Sequence, residues 1–189
     1  MAAVGAARAT IVDLDIYAVN PLLGSDGVTP LADGSWIIIV GSGDSIADPM
    51  QTYNSTSLIA TSTTGDDVII AILPLNSLLG TGTFGFTVQY DSSQISYVYI
   101  RFFQTTNWPI GGNIYWGTSA VYQLGVTLGV STVQVDPFGS LVATNYNHFV
   151  PIPEPSTANL LLLVGGMIWA MRASMKRDMK EHDSEGKEL

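Results

Sequence analysis

The sequence predicts an all-β protein: a β-sandwich, jelly-roll or Ig-like in style, followed by a single C-terminal transmembrane helix. Three observations carry that prediction. Short segments alternate apolar and polar residues with a period of two, as half-buried strands do. Gly, Ser, Thr, Asn, Asp and Pro fill the intervals between them, as turns require. Near the carboxyl end, Ala158 to Met171 runs for 14 residues without a charge. Before residue 158 no segment follows a 3.6-residue period.

The elements follow in chain order. Residues 1–9 end in Ala7-Arg8-Ala9, an A-x-A pattern of the kind cleaved after a signal peptide. Nine residues are too few for a whole leader, so the segment reads as the remnant of a longer one, with Thr10 opening the mature chain. From Ile11 to Val19, Leu14, Ile16 and Ala18 face one way and Asp13, Asp15 and Tyr17 the other. Trp36 to Val40 is a β-branched run between Asp33-Gly34 and Gly41-Ser42-Gly43-Asp44, which predicts a buried strand. Val68 to Leu73 is another, entered through Gly65-Asp66-Asp67. Phe84, Phe86, Val88 and Tyr90 alternate; Asp91 to Gln94 turns and Ile95 to Phe103 returns, which predicts a hairpin. Ile114 to Trp116, Ala120 to Val126 and Thr132 to Val135 complete seven to nine short strands, the pattern of a sandwich over residues 10–150.

Charge is distributed unevenly. Residues 10–150 hold ten aspartates, one arginine (Arg101), no lysine and no glutamate, a net charge of 1 − 10 = −9. So acidic a body excludes nucleic acid as a partner, because phosphate contacts need Lys and Arg. It also repels anionic polysaccharide unless a cation bridges the two. The chain has no cysteine, so neither disulfides nor a thiol nucleophile is available and the body depends on its core. The two histidines, His148 and His182, fall outside the predicted strands, and the usual nucleophile–base pairs cannot be assembled. Asp66 and Asp67 are consecutive and predicted to point apart, a poor acid–base pair. An enzyme is not expected.

The remaining candidates are binding sites. Asp13, Asp15, Asp26, Asp33, Asp44, Asp48, Asp66 and Asp67 lie mostly in or beside turns, and hard cations such as Ca²⁺ take carboxylate and carbonyl oxygens. Asp66 and Asp67 are the Ca²⁺ candidates, although no Asp-x-Asp-x-Asp-Gly loop is present and aspartate starts turns on its own account. Trp108 and Trp116, with Tyr115 and Tyr122, lie in a Gly/Asn-rich region where rings can stack on sugar faces or pack in a core. Arg101 is expected to pair with an aspartate across the sheet. Asn54-Ser55-Thr56 matches a glycosylation sequon.

The C-terminal forty residues carry most of the functional information. Ser156 to Met175 is 20 residues, about 30 Å as a helix and enough to cross the hydrocarbon layer. Trp169 suits the interface, and the Arg172 stem can lie along lipid while its guanidinium reaches the headgroups. Arg172, Lys176, Arg177 and Lys180 lie on one side only. The positive-inside bias therefore places the C-terminus in the cytoplasm and the body outside. Pro153-Glu154-Pro155 is an extended strip just before the span, because each proline lacks an N–H and pushes its predecessor out of helical geometry.

The segment Ile152-Pro153-Glu154-Pro155-Ser156-Thr157, the apolar stretch and the Arg172, Lys176, Arg177 stop together resemble a PEP-CTERM sorting domain. Such domains belong to exported proteins of Gram-negative bacteria that make extracellular polysaccharide. The resemblance covers residues 151–177, and the chain continues through Asp178 to Leu189. It implies recognition by exosortase, a multi-pass membrane cysteine transpeptidase, and removal of the helix. It implies an inner-membrane anchor first, then a place at the cell surface or outside. Leu31 to Trp36, Gly65 to Val68, Val98 to Phe103 and Asn113 to Ser119 loosely resemble a body pattern of some PEP-CTERM proteins, which assigns no chemistry. The expected organisation is a leader remnant (1–9), an extracytoplasmic sandwich (10–150), a sorting signal (151–180, helix about 156–175) and an acidic cytoplasmic tail (181–189). The expected role is structural and non-enzymatic, without a cofactor unless Ca²⁺ binds. The alternative is a carbohydrate-binding or adhesive module associated with extracellular polysaccharide.

Overall fold

Ten strands make up all the regular structure in the described part of the computed structural model, residues 10–77, 79–125 and 129–151. Residues 1–9, the Pro153-Glu154-Pro155 motif, the 156–175 span with Arg172, the basic Lys176 and Arg177, and the 181–189 tail lie outside the described residues. Among the described residues no helix is long and apolar enough to cross a membrane.

The smaller sheet has the order β5-β1-β9. Its centre, β1 (Ile11–Ala18), runs antiparallel to β5 (Phe84–Asp91) and parallel to β9 (Val130–Gln134). The larger sheet has the order β3-β10-β7-β6-β2-β4, with β8 beside β6. Its strands are β2 (Trp36–Ser42), β3 (Ser57–Leu58), β4 (Val68–Pro74), β6 (Tyr97–Phe103), β7 (Gly112–Thr118), β8 (Tyr122–Gln123) and β10 (Asn145–Phe149). The all-β prediction holds, and the two sheets pack through one apolar core.

Alternation explains that core. Val12, Leu14, Ile16 and Ala18 of β1 are buried, whereas Asp13, Asp15 and Tyr17 are half-exposed. They meet Phe84 of β5, Val133 of β9, Ile37 and Ile39 of β2, and Ile100 and Phe102 of β6. A second core lies on the opposite face of the larger sheet. There Ile38, Val40, Tyr99, Phe103, Ile114 and Phe149 are covered by Met50, Ala60 and Ile110 from the connecting segments. Burial on both faces is why Trp36 to Val40 reads as a continuous apolar run rather than an alternating one.

The hairpin expected at Asp91 is not formed. β5 belongs to the smaller sheet and β6 to the larger one, so the chain crosses between sheets at this turn. Tyr90, Val98 and Ile100 all belong to the core between the sheets. Crossing over sets the two apolar faces against each other, where a hairpin would set them side by side. Ile95, the first apolar residue after the turn, is buried against Gly41, where even a Cβ would come within 2.7 Å of its side chain. The strand expected over Ala120 to Val126 is reduced to β8 among the described residues, while β3 and β10 were not predicted.

Candidate functional site

The polar site of this molecule lies on the outer face of the larger sheet. On β6, Val98, Ile100 and Phe102 point into the inter-sheet core, so Tyr99, Arg101 and Phe103 point out. Arg101 stands opposite Ile38 of β2 and Thr118 of β7, in the middle of the sheet. The excursion between β2 and β4, residues 43–67, folds over it and leaves it 3% exposed. Its Nη1 donates to the Ser62 carbonyl at 3.1 Å; its Nη2 donates to the Asp48 carbonyl and to the Tyr99 hydroxyl, the latter at 2.7 Å. The guanidinium also lies 5.3 Å from the centre of the Tyr99 ring. The expected pairing with a carboxylate is therefore replaced by bonds to two main-chain carbonyls and a hydroxyl. Burial pushes the Arg101 pKa down, yet a guanidinium ionises so high that it stays charged.

Tyr99 links the arginine to an acidic cluster. Its hydroxyl accepts from Arg101 and donates to Asp67 Oδ2 at 2.5 Å. Burial, aided by that bond, raises the Tyr99 pKa well above the usual phenol value, so the group is neutral. Asp67 is only 6% exposed. Its Oδ2 also accepts from the Asp48 amide at 2.8 Å, while its Oδ1 is enclosed and accepts no hydrogen bond. Asp48 Oδ2 accepts from the Asp66 amide at 3.2 Å, and Asp66 Oδ2 accepts from the Gly43 amide at 2.8 Å. One carboxylate oxygen from each of Asp48, Asp66 and Asp67 lies within 4.8 Å of the others. Gly65 makes this approach possible. Its φ is +63°, and a Cβ there would fall 1.7 Å from Asp48 Oδ2.

Asp66 and Asp67, expected to point apart, thus converge with Asp48, which the sequence placed only in a general set of loop aspartates. Most of the others in that set do local work. Asp26 accepts from the Thr29 hydroxyl and the amides of Val28 and Thr29, which hold its pKa down at about 2. Asp33 binds Ser77, and Asp44 accepts from the Ile46 amide. Asp15 and Asp13 accept from Thr87 and Gln89 across the β1–β5 pair. Asp136 is buried and accepts from the amides of Val19 and Asn20. Sequence reasoning missed it, and its one signal is its place before Pro137.

The aromatic candidates separate. Trp108 is 40% exposed and leans on Trp36 with ring centres 4.4 Å apart. Trp116 is half-buried at the margin of the second core, against Phe103 and Phe149, and its Nε1 donates to Asn147 at 2.9 Å. Neighbouring Tyr115 is exposed and lies 4.6 Å from Tyr146, its partner across the β7–β10 pair. His148 is on β10, with its Nδ1 2.9 Å from Asn113 Oδ1. Asn54 of the sequon accepts from the Thr56 and Ser57 amides in a closed local turn. No protein-family model matches the chain, and neither a curated protein nor a solved structure does.

Proposed function

We propose that the chain is an exported cell-surface or extracellular-matrix protein with a non-enzymatic, structural role, delivered by a C-terminal PEP-CTERM signal that exosortase processes. The observation that carries this reading is the order of three features at the carboxyl end. Pro153-Glu154-Pro155 comes first, then the uncharged Ala158–Met171 stretch, then Arg172, Lys176 and Arg177. Each is weak by itself; in sequence they describe a strip that an enzyme can grip, a span and a stop. The acidic, cysteine-free body, which we read as a sandwich module of jelly-roll or Ig-like style, suits an exported protein. Its buried polar cluster around Arg101, Tyr99 and Asp67 is engaged in holding a loop, which supports a structural role.

Intact-mass measurement of the surface-extracted protein tests the proposal in a Gram-negative host with and without exosortase. The expected product lacks the helix only when the enzyme is present, and Glu154→Ala blocks its formation. A full-length chain in the soluble cytosolic fraction overturns the reading. The second reading, a carbohydrate-binding module, is favoured by exposed Trp108 on its Trp36 base and by the Tyr115–Tyr146 pair. It predicts saturable glycan binding that Trp108→Ala abolishes and Trp116→Ala changes less.

A further inference from the structure

We infer that Asp48, Asp66 and Asp67 form a Ca²⁺ site that closes the 43–67 excursion onto the outer face of the larger sheet. Two independent observations carry this. The first is convergence: one oxygen from each carboxylate lies within 4.8 Å of the others. Ligands at about 2.3–2.6 Å from one Ca²⁺ are at most about 4.6–5.2 Å apart, so the three oxygens fit a single shared ion. The second is the enclosed Oδ1 of Asp67, an unpartnered oxygen on a residue only 6% exposed. A carboxylate oxygen withdrawn from water without a partner is costly, and a cation removes that cost.

The charge balance agrees. Three carboxylates and the Arg101 guanidinium leave two negative charges, and one divalent cation cancels them. Arg101 does not fill that role itself, since its bonds go to carbonyls and a hydroxyl. An all-oxygen set favours a hard ion over zinc or copper. The site is buried at Asp67 and open to water at Asp66, an irregular shell of the kind Ca²⁺ accepts and Mg²⁺, bound to a strict octahedron, does not. Asp48 comes from the early part of the excursion, and Asp66 and Asp67 from its end, just before β4. The ion therefore joins the two ends of the loop that covers Arg101 and Tyr99. This inference does not rest on the proposed destination of the protein.

Calorimetric titration of the full-length, chelator-stripped chain with CaCl₂ tests it, alongside melting curves. The expected result is one ion per chain with a Kd of about 10⁻⁴–10⁻³ M, as suits an open three-carboxylate site. A tenfold excess of Ca²⁺ over Kd should raise Tm by about 4 °C. Asp67→Asn should lose both effects. Should that variant fail to fold, Asp66→Asn removes a water-facing ligand without disturbing the core and should weaken binding at least tenfold. Asp26→Asn, in a turn remote in sequence, should change neither. No binding at about 10 mM Ca²⁺, well above that range, overturns the inference. So does binding that Asp66→Asn leaves intact, or Mg²⁺ binding of equal strength.

Discussion

The two faces of the larger sheet are built on the same strands and closed in different ways. On the inner face Ile37 and Ile39 of β2 meet another sheet; on the outer face Ile38 and Val40 meet a loop. A sheet arrives with its main-chain hydrogen bonds already made, so apolar packing suffices to hold it. A loop brings carbonyls with no strand to receive them, and buried carbonyls must find donors. Arg101 is the donor here: it serves Ser62 and Asp48, and Tyr99 ties it to Asp67. The difference teaches that a polar residue at the centre of a sheet can mark a face covered by irregular chain rather than a reactive site.

Matched truncations break or sharpen this contrast most directly. Ile39→Ala and Ile38→Ala alter adjacent, fully buried positions on opposite faces. We expect a loss of about 4 kcal/mol at Ile39, where two sheets cannot collapse on the gap, and about 2–3 kcal/mol at Ile38, where a loop can. Equal losses in urea unfolding would mean that the covers are equally stiff. Next in size, Arg101→Met removes the guanidinium bonds to the part-buried Ser62 and Asp48 carbonyls and should cost about 2–3 kcal/mol. Hydrogen exchange should then quicken over residues 43–67 while β1 amides stay protected; uniform loss across both sheets would deny the loop its separate status.

Tyr99→Phe should cost about 1–2 kcal/mol, because it unlinks Arg101 from Asp67. It also has a pH signature. The Tyr99 pKa is raised in the folded state, so its contribution is complete below the ordinary phenol value of 10.0 and declines as pH rises above it. The phenylalanine variant should show a shallower alkaline fall in Tm, and an identical fall would place the titration elsewhere. The smallest effect belongs to a surface turn unconnected with either core. Asp26, held at about 2 against 3.8, contributes fully above about pH 4 and loses its contribution as pH falls toward 2. Asp26→Asn should slightly flatten that acid limb, and an unchanged limb would show that the turn bonds carry no stability.

What the sequence disclosed follows the same division. β1, β2, β4, β5, β6, β7 and β9 were legible, because their apolar positions alternate or run unbroken and each packs apolar side chains against a core. β10 escaped because Asn145-Tyr146-Asn147-His148-Phe149 carries one buried residue in five. β3 is two residues long and has no period to detect. The Asp91 turn looked like a hairpin because turn chemistry records a reversal and not the sheet that receives the next strand. Asp66 and Asp67 were singled out for density alone. Asp48, 18 residues before Asp66, joins them only through the fold, and no local pattern announces it.

The position of β1 has a consequence for how the chain is made. Its parallel neighbour β9 comes late, and the loop just after β1 is fastened to Asp136, 117 residues beyond Val19. At about 5–20 residues per second, the ribosome needs on the order of ten seconds to bridge that interval. Throughout it, the apolar side of the first strand has no finished sheet to join. Such a body completes itself last-in rather than first-in, and contacts this distant in sequence form slowly. A polypeptide with that schedule stays pliable until most of the body has emerged.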